Sequence, residues 1–558
     1  MSTNIPKKNV TLRPLKTPSL PMKSLKLFFL AALCLVSMAA TAQNQPQKPQ
    51  TKAQMNAQKL GTVLYLIENF YVDTTNMDKV TEDAIIAALK ELDPHSAYIS
   101  KKDVEKANEP LVGSFEGIGV TFQLIRDTIT VISPVAGGPS EKVGIMAGDQ
   151  FIKIDGEECF GKKVDNEYVQ KHLRGKKGTK VTVSVKRGDS PELIDFEITR
   201  DKIPVNSINA SYMLDNHVGY IKLDRFAQES TQEFKQAFTK LQAQGMESLI
   251  FDLRGNTGGY LNTAIELVDQ FITEDKLIVF TEGTHSPRQE WRSTKAGLYT
   301  LGKLVVLIDE GSASASEILS GAIQDHDRGV VIGRRSFGKG LVQRPFNLPD
   351  GSQMRLTTSR YHTPSGRCIQ RPYENGADDY AKEMKKRLEH GEYYHADSIH
   401  FPDSLKFKTD GGRTVYGGGG IMPDIFIPVD TAYNSKLYTN LVRKGALNRY
   451  TTDYGLKHRD ALKAQYGDFE HFNKDFTVGK DLIEGLKAAA KEAKVEWNDE
   501  QFAHSEKFIL LQIKALIARN VWDTRQYYQV MASVDPGIQK AMEVLGNEKE
   551  YKRLLKVK

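Results

Sequence analysis

Residues 303–326 read KLVVLIDEGSASASEILSGAIQDH. Leu304 to Ile308 is an unbroken apolar run, the pattern of a strand covered on both faces. Ile318, Leu319, Ala322 and Ile323 recur at helical spacing, so a helix starts within the serines and turns that face inward. A buried strand leading into an amphipathic helix is one unit of an α/β layer. Ser312, Ser314 and Ser316 take alternate positions of the turn, and Ser314 with Glu317 has capping-box spacing, in which the hydroxyl satisfies a free helical N–H. The other reading makes one hydroxyl a nucleophile, which requires a base elsewhere in the chain.

Outward from this unit, residues 218–372 alternate in the same way. VGYIKL, SLIFDLRG, KLIVF and GVVIG read as strands, and STQEFKQAFTKLQAQG and YLNTAIELVDQFI as helices between them. DLRGNTGG follows a buried strand and opens a helix, where Gly258 and Gly259 can present backbone N–H groups to negative charge. It lacks the Lys-Ser/Thr ending of a phosphate loop and the spacing of a dinucleotide fingerprint. RRSFGKGLVQ sets Lys339 between two glycines, the pattern of a lysine closely approached by another backbone, or else of an exposed strand lysine.

Lysine accepts a proton from serine only when neutral, and its ordinary pKa of about 10.4 leaves little free amine at pH 7. Burial in an apolar pocket lowers that value, far more readily for lysine than for arginine. Serine with a buried lysine therefore needs neither histidine nor aspartate. His326 and His362 offer the usual triad, but no G-x-S-x-G turn accompanies them. Ser336-x-x-Lys339 matches the S-x-x-K of penicillin-recognising enzymes, which lies on a helix, whereas glycines here flank a strand.

Residues 113–200 change character to short strands with glycine punctuation around one helical stretch, DNEYVQKHLRG, which makes a small β-barrel. The glycines of EGIGV form either a tight turn into the first strand or a loop whose N–H groups bind a carboxylate beside a strand edge. The segment resembles a PDZ domain. That likeness puts Gly117, Ile118, Gly119 and Val120 at the carboxylate-binding loop and Val169 and Leu173 beside the pocket for a ligand's last side chain.

The chain has 558 residues, 40% hydrophobic and 26% charged, enough for several domains. Residues 1–42 carry six of the 76 basic residues and no acidic one, so the remainder balances at 70 against 70 and gives no sign of nucleic-acid binding. KLFFLAALCLVSMAATAQNQ reads as a secretory signal cleaved after Ala42, and the protein is expected in the cell envelope, in the periplasm. The alternative is an uncleaved signal acting as a membrane tether. Export leaves Cys159 and Cys368 in different domains, so no disulfide framework is expected. From Leu60 to Lys106 the pattern is helical until LDPHSAY breaks it, with His95 read as a helix-terminus residue rather than a metal ligand. Residues 373–412 are charged and helix-prone and read as surface decoration, while FILLQIKALIARNVW and GIQKAMEVL read as helices packing on their own chain, with a homo-oligomer the alternative.

The order of LDPHSAY, the PDZ segment, DLRGNTGG, the serine turn, GRRSFGKGLVQ, LTTSRYHTPSGRCIQ and GGGGIMPDI resembles the carboxyl-terminal processing, or tail-specific, protease family over roughly residues 55–430. The resemblance implies an α/β multidomain protein. A PDZ-like barrel (111–200) sits between an N-terminal linker and helical segment (43–110) and a crotonase/ClpP-like protease core (201–428), followed by a C-terminal helical region (429–558). It implies that Ser314 is the nucleophile, Lys339 the general base and Gln343 the residue orienting the lysine, with Gly259 and Ala315 offering N–H groups to the oxyanion. The residues alone do not choose Ser314 over Ser312 or Ser316. Arg174 matches a position that couples the PDZ domain to the core. The expected substrates are unstructured protein C-termini, with no metal or cofactor. A PDZ adaptor with a silent core, and a crotonase-like enzyme needing a coenzyme-A site, are the alternatives.

Overall fold

The computed structural model describes residues 51–161, 164–188, 190–295 and 297–556, so the signal segment and its cleavage after Ala42 lie outside the described residues. The chain divides into two units at residue 84. The first contains the helix Lys52–Phe70, opened by a capping box in which Gln54 N–H donates to the Thr51 hydroxyl and Thr51 N–H to the Gln54 side chain. The helix Met77–Lys90 crosses the boundary. The helical pattern from Leu60 breaks at LDPHSAY as read, and that segment leads into the strand Ala97–Ile99; the chain is also non-helical at 71–76.

The second unit is built on a six-stranded sheet in the order Ile208–Met213, Val218–Leu223, Ser248–Asp252, Lys303–Ile308, Val330–Gly333 and Ile425–Phe426. The first pair is antiparallel and the others parallel. The parallel strands are buried almost throughout, as their apolar runs require. One face meets the helices Ser230–Ala243, Leu261–Asp269 and Ala315–Asp325 through Phe234, Phe238, Leu267, Val268, Ile318 and Leu319. The other face is covered from far along the chain: Ile538, Ala541 and Leu545 of Pro536–Gly546, with Tyr551 and Leu555 of Glu548–Leu555, join Ile250, Val305, Leu307, Val330 and Ile332. The tail therefore packs on its own chain, as its amphipathic pattern requires, and the helices between Lys436 and Met531 form a further core around Phe472, Leu486 and Ile513.

A second sheet flanks the first. Gln353–His362 pairs with Leu341–Asn347, Leu277–Gly283 and Ala97–Ile99, and so brings the LDPHSAY segment beside the GKG segment. The small barrel is an antiparallel sheet ordered Val120–Ile125, Thr128–Pro134, Gln150–Ile154, Lys180–Lys186 and Leu193–Thr199. The helix Asn166–Leu173 closes it through Val169 and Leu173. Among the described residues no helix is long and apolar enough to cross a membrane.

Because Leu545 is buried in the layer that covers the sheet, Leu545→Ala is expected to destabilise the protein by about 2 to 5 kcal/mol in urea unfolding. An effect as small as a surface substitution would show that the terminal helices do not belong to the core.

Candidate active site

The sequence left three serines in contention, and packing separates them. Ser312 is buried, its hydroxyl donating to Leu253 O at 2.8 Å, and Ser316 is buried, donating to Asn256 O at 2.8 Å. Ser314 lines a cleft of about 930 Å³. Its backbone has φ 56° and ψ −113°, a conformation a non-glycine residue holds only when its surroundings enforce it. Ser314 and Glu317 take the capping-box arrangement that their spacing predicts: Glu317 Oε2 accepts from Ser314 N–H at 2.8 Å, and Glu317 N–H donates to the Ser314 carbonyl at 2.8 Å.

Glu317 joins the serine turn to the lysine segment. Its side chain is wholly buried and also accepts from Ser336 Oγ at 2.5 Å, Gly338 N–H at 2.7 Å and Lys339 N–H at 2.9 Å. Burial raises its pKa, against the opposing effect of these hydrogen bonds. The buried Tyr361 hydroxyl lies 2.7 Å from Lys339 O and 3.2 Å from Ser314 O, a second tie between the same segments. Ser336 is thus a buried strut in a loop, not the nucleophile of a helical S-x-x-K.

Lys339 lines the same cleft as Ser314, and among the described residues its Nζ forms no ion pair. Burial lowers its pKa first and Arg355 adds to the effect, while Glu317 and Asp93 oppose it. The flanking glycines have the predicted cause: a Cβ on Gly340 would lie 2.8 Å from Gln370 N, and one on Gly338 3.1 Å from Gly420 N. Gln343 also lines the cleft, but its amide donates to Thr357 Oγ1 at 3.1 Å, which donates in turn to Asp93 Oδ1 at 3.1 Å. His95 is not a plain helix-terminus residue. Burial first, then the charges of Lys339 and Arg371, push its imidazole down to about 4 against the pull of Asp93. Asp93, Thr357 and Tyr361 carry no pattern that singles them out in the sequence.

The Gly259 and Ala315 N–H groups donate to no other group among the described residues. A Cβ on Gly259 would lie 2.1 Å from Phe226 O, and one on Gly258 2.8 Å from the Ser314 Cβ, so only glycine lets this loop approach the turn. The two free donors are what an oxyanion requires. The histidines of the rival triad are engaged elsewhere, His326 with Asp410 and Leu277 O, and His362 stacked on Phe280. Among the described residues no three His, Cys, Asp or Glu side chains gather as a metal site.

In the small barrel, a cavity of about 320 Å³ is lined by Ile118, Gly119, Val120, Val169 and Leu173, together with Phe115 and Arg174. The Gly119 N–H group has no partner among the described residues. Gly119 has φ +75°, and a Cβ there would meet Ile203 Cδ1 at 2.9 Å. Gly117 lies outside the cavity lining and bridges to Arg174, whose guanidinium pairs with Glu109 of the helix Val104–Val112 and lies 4.5 Å from the Phe115 ring centre. Asn108, Pro110 and Leu111 of that helix line the cleft of Ser314, so one helix touches both sites.

Family models match peptidase family S41 at residues 217–376, a PDZ domain at 117–198 and a family of unknown function at 437–523. The carboxy-terminal-processing protease of Bartonella bacilliformis is 34% identical over 350 residues, 62% of this chain and 80% of that one. A probable CtpA-like serine protease of Staphylococcus aureus is 36% identical over 318 residues, 57% of this chain and 63% of that one. The chain thus spans less than two thirds of the second relative. The structure of a photosystem II D1 C-terminal processing protease matches at 27% identity over 55% of this chain and 89% of that chain, with a TM-score of 0.33. The chain belongs to peptidase family S41, the carboxy-terminal-processing proteases, as a PDZ-containing serine-type peptidase.

An unpaired, partly buried ammonium destabilises the fold that holds it. Lys339→Met is therefore expected to abolish peptidase activity while raising the thermal midpoint. The gain should shrink as pH rises through the lowered native pKa, because the native lysine releases its proton before the unfolded one and the wild type then gains stability. A variant less stable than wild type at every pH would mean the ammonium is well solvated where it stands.

Proposed function

We propose that this peptidase cleaves polypeptides with Ser314 as nucleophile and Lys339 as general base, after its PDZ domain has engaged the substrate's C-terminus. The observation that carries the reading is the placing, in one cleft, of a serine held at positive φ with a lysine that has a lowered pKa and, among the described residues, no ion pair. The neutral amine takes the Ser314 proton as the oxygen attacks the carbonyl carbon. The oxyanion is received by the Gly259 and Ala315 N–H groups, and the lysine returns the proton to the leaving amine. Gln343, its amide nitrogen fixed on Thr357, has a carbonyl oxygen left to orient the amine. In the PDZ domain the Gly119 N–H group, without a partner among the described residues, and the loop 117–120 around it suit a carboxylate, and the apolar pocket at Val169 and Leu173 suits a final apolar side chain. Export to the cell envelope is part of the proposal and rests on the sequence of residues 1–42.

Paired peptides of one sequence, one with a free C-terminal acid and one amidated, test the recognition step. Loss of charge-assisted hydrogen bonds should lower kcat/KM for the amide by roughly ten- to hundredfold. Equal values would leave a general endopeptidase. For the chemical step, Ser314→Ala and Lys339→Arg should each abolish turnover. Ser314→Ala combined with Lys339→Ala should lose no more than either alone, since one attacking unit is removed in each case. Independent, multiplying losses would reject the pair.

A further inference from the structure

The segment 373–412 is not only surface decoration. Its helix Ala377–Glu389 begins where the S41 match ends and turns Tyr380 and Arg387 into the protein beneath the lysine segment. Arg387 is 2% exposed, on a helix whose other cations face solvent. A buried guanidinium persists only where its donors are satisfied, and those of Arg387 reach Glu383 Oε1 at 2.6 Å, Ser336 O at 2.8 Å and Phe337 O at 3.3 Å. Glu383 also pairs with Arg371, and the Arg371 guanidinium lies between the rings of Phe337 and Tyr380, 4.1 and 3.8 Å from their centres. The Tyr380 hydroxyl is 2.9 Å from His95 Nε2.

The polar backbone groups of residues 336–339 divide by origin. Ser336 N–H donates to Ile421 O and Phe337 N–H to Ser312 O, while Glu317 takes the Gly338 and Lys339 N–H groups. Gly338 O accepts from Arg371 N–H and Lys339 O from Tyr361. The Ser336 and Phe337 carbonyls are held by Arg387. We propose that Arg387 is a positioning residue of the peptidase, and that the helix Ala377–Glu389 sets the lysine segment against the serine turn. The proposal rests on the reading of Lys339 as the base.

Arg387→Gln removes the charged fork that spans two carbonyls, Arg387→Lys keeps the charge on a single nitrogen, and Tyr380→Phe removes the hydroxyl that meets His95. In the full chain, kcat for a peptide substrate is expected to fall roughly a hundredfold in Arg387→Gln with KM within about twofold. Arg387→Lys should recover part of the loss. The charges around Lys339 are Glu317, Asp93, Arg355 and, when protonated, His95. A loosened segment admits water to the amine, so the acidic limb of the kcat/KM profile should move to higher pH in Arg387→Gln, and by less in Tyr380→Phe. Lys385→Ala, on the exposed face and paired with Glu389, should match wild type. The proposal is overturned if Arg387→Gln and Arg387→Lys keep wild-type kcat and pH profile. It is equally overturned if their losses follow the unfolded fraction with the limb unmoved, or if Lys385→Ala loses as much. An active Lys339→Met would instead reject the lysine as base, so the two readings fail separately.

Discussion

One buried carboxylate joins the two halves of the active site. Glu317 accepts hydrogen bonds from the serine turn through Ser314 N–H and from the lysine segment through Gly338 and Lys339 N–H, across a separation of 22 residues. A carboxylate is acceptor-only and offers about four lone-pair directions, so it serves four converging donors without conflict. An amide could not, because its own NH2 would meet them head on. The raised pKa of Glu317 reflects its desolvation, which the four donors offset in part.

Around that strut the site concentrates features that a stable core avoids: a serine at positive φ and, among the described residues, a lysine without a counter-ion and two N–H groups without acceptors. They persist because what surrounds them is over-determined. The strand Lys303–Ile308 feeding the turn is buried between two helical layers, and Gly258 and Gly259 let the neighbouring loop press against Ser314 with no side chain between. On the proposed mechanism, pre-set donors and a partly desolvated lysine need little reorganisation when substrate charge develops.

The layers were legible in the sequence because burial on two faces writes continuous apolar runs, as in Leu304 to Ile308, and one-sided burial writes helical periodicity, as in Ile318 to Ile323. The glycines beside Lys339 were legible for a similar reason, since close backbone approach leaves no other residue. What could not be read depended on partners distant in the chain. Ser312 and Ser316 are excluded by carbonyls 59 and 60 residues away, which no local pattern encodes. Tyr380 and Arg387 sit in a stretch whose composition is that of a solvated helix, and only the fold shows which of its side chains turn inward. The break at LDPHSAY was legible, but not that this short polar segment joins a sheet whose other strands lie far downstream.

The second cover of the central sheet has a consequence for synthesis. Tyr551 binds the backbone of Leu304 across 247 residues, and its neighbours Leu545 and Leu555 fill the layer beneath Val305 and Leu307. Contacts of such sequence separation form late, because the loop they close is long. During chain growth the serine turn is therefore made well before the layer that holds its strand in place. The strand that feeds the serine turn thus waits for its second cover until residues 536–555 have been made.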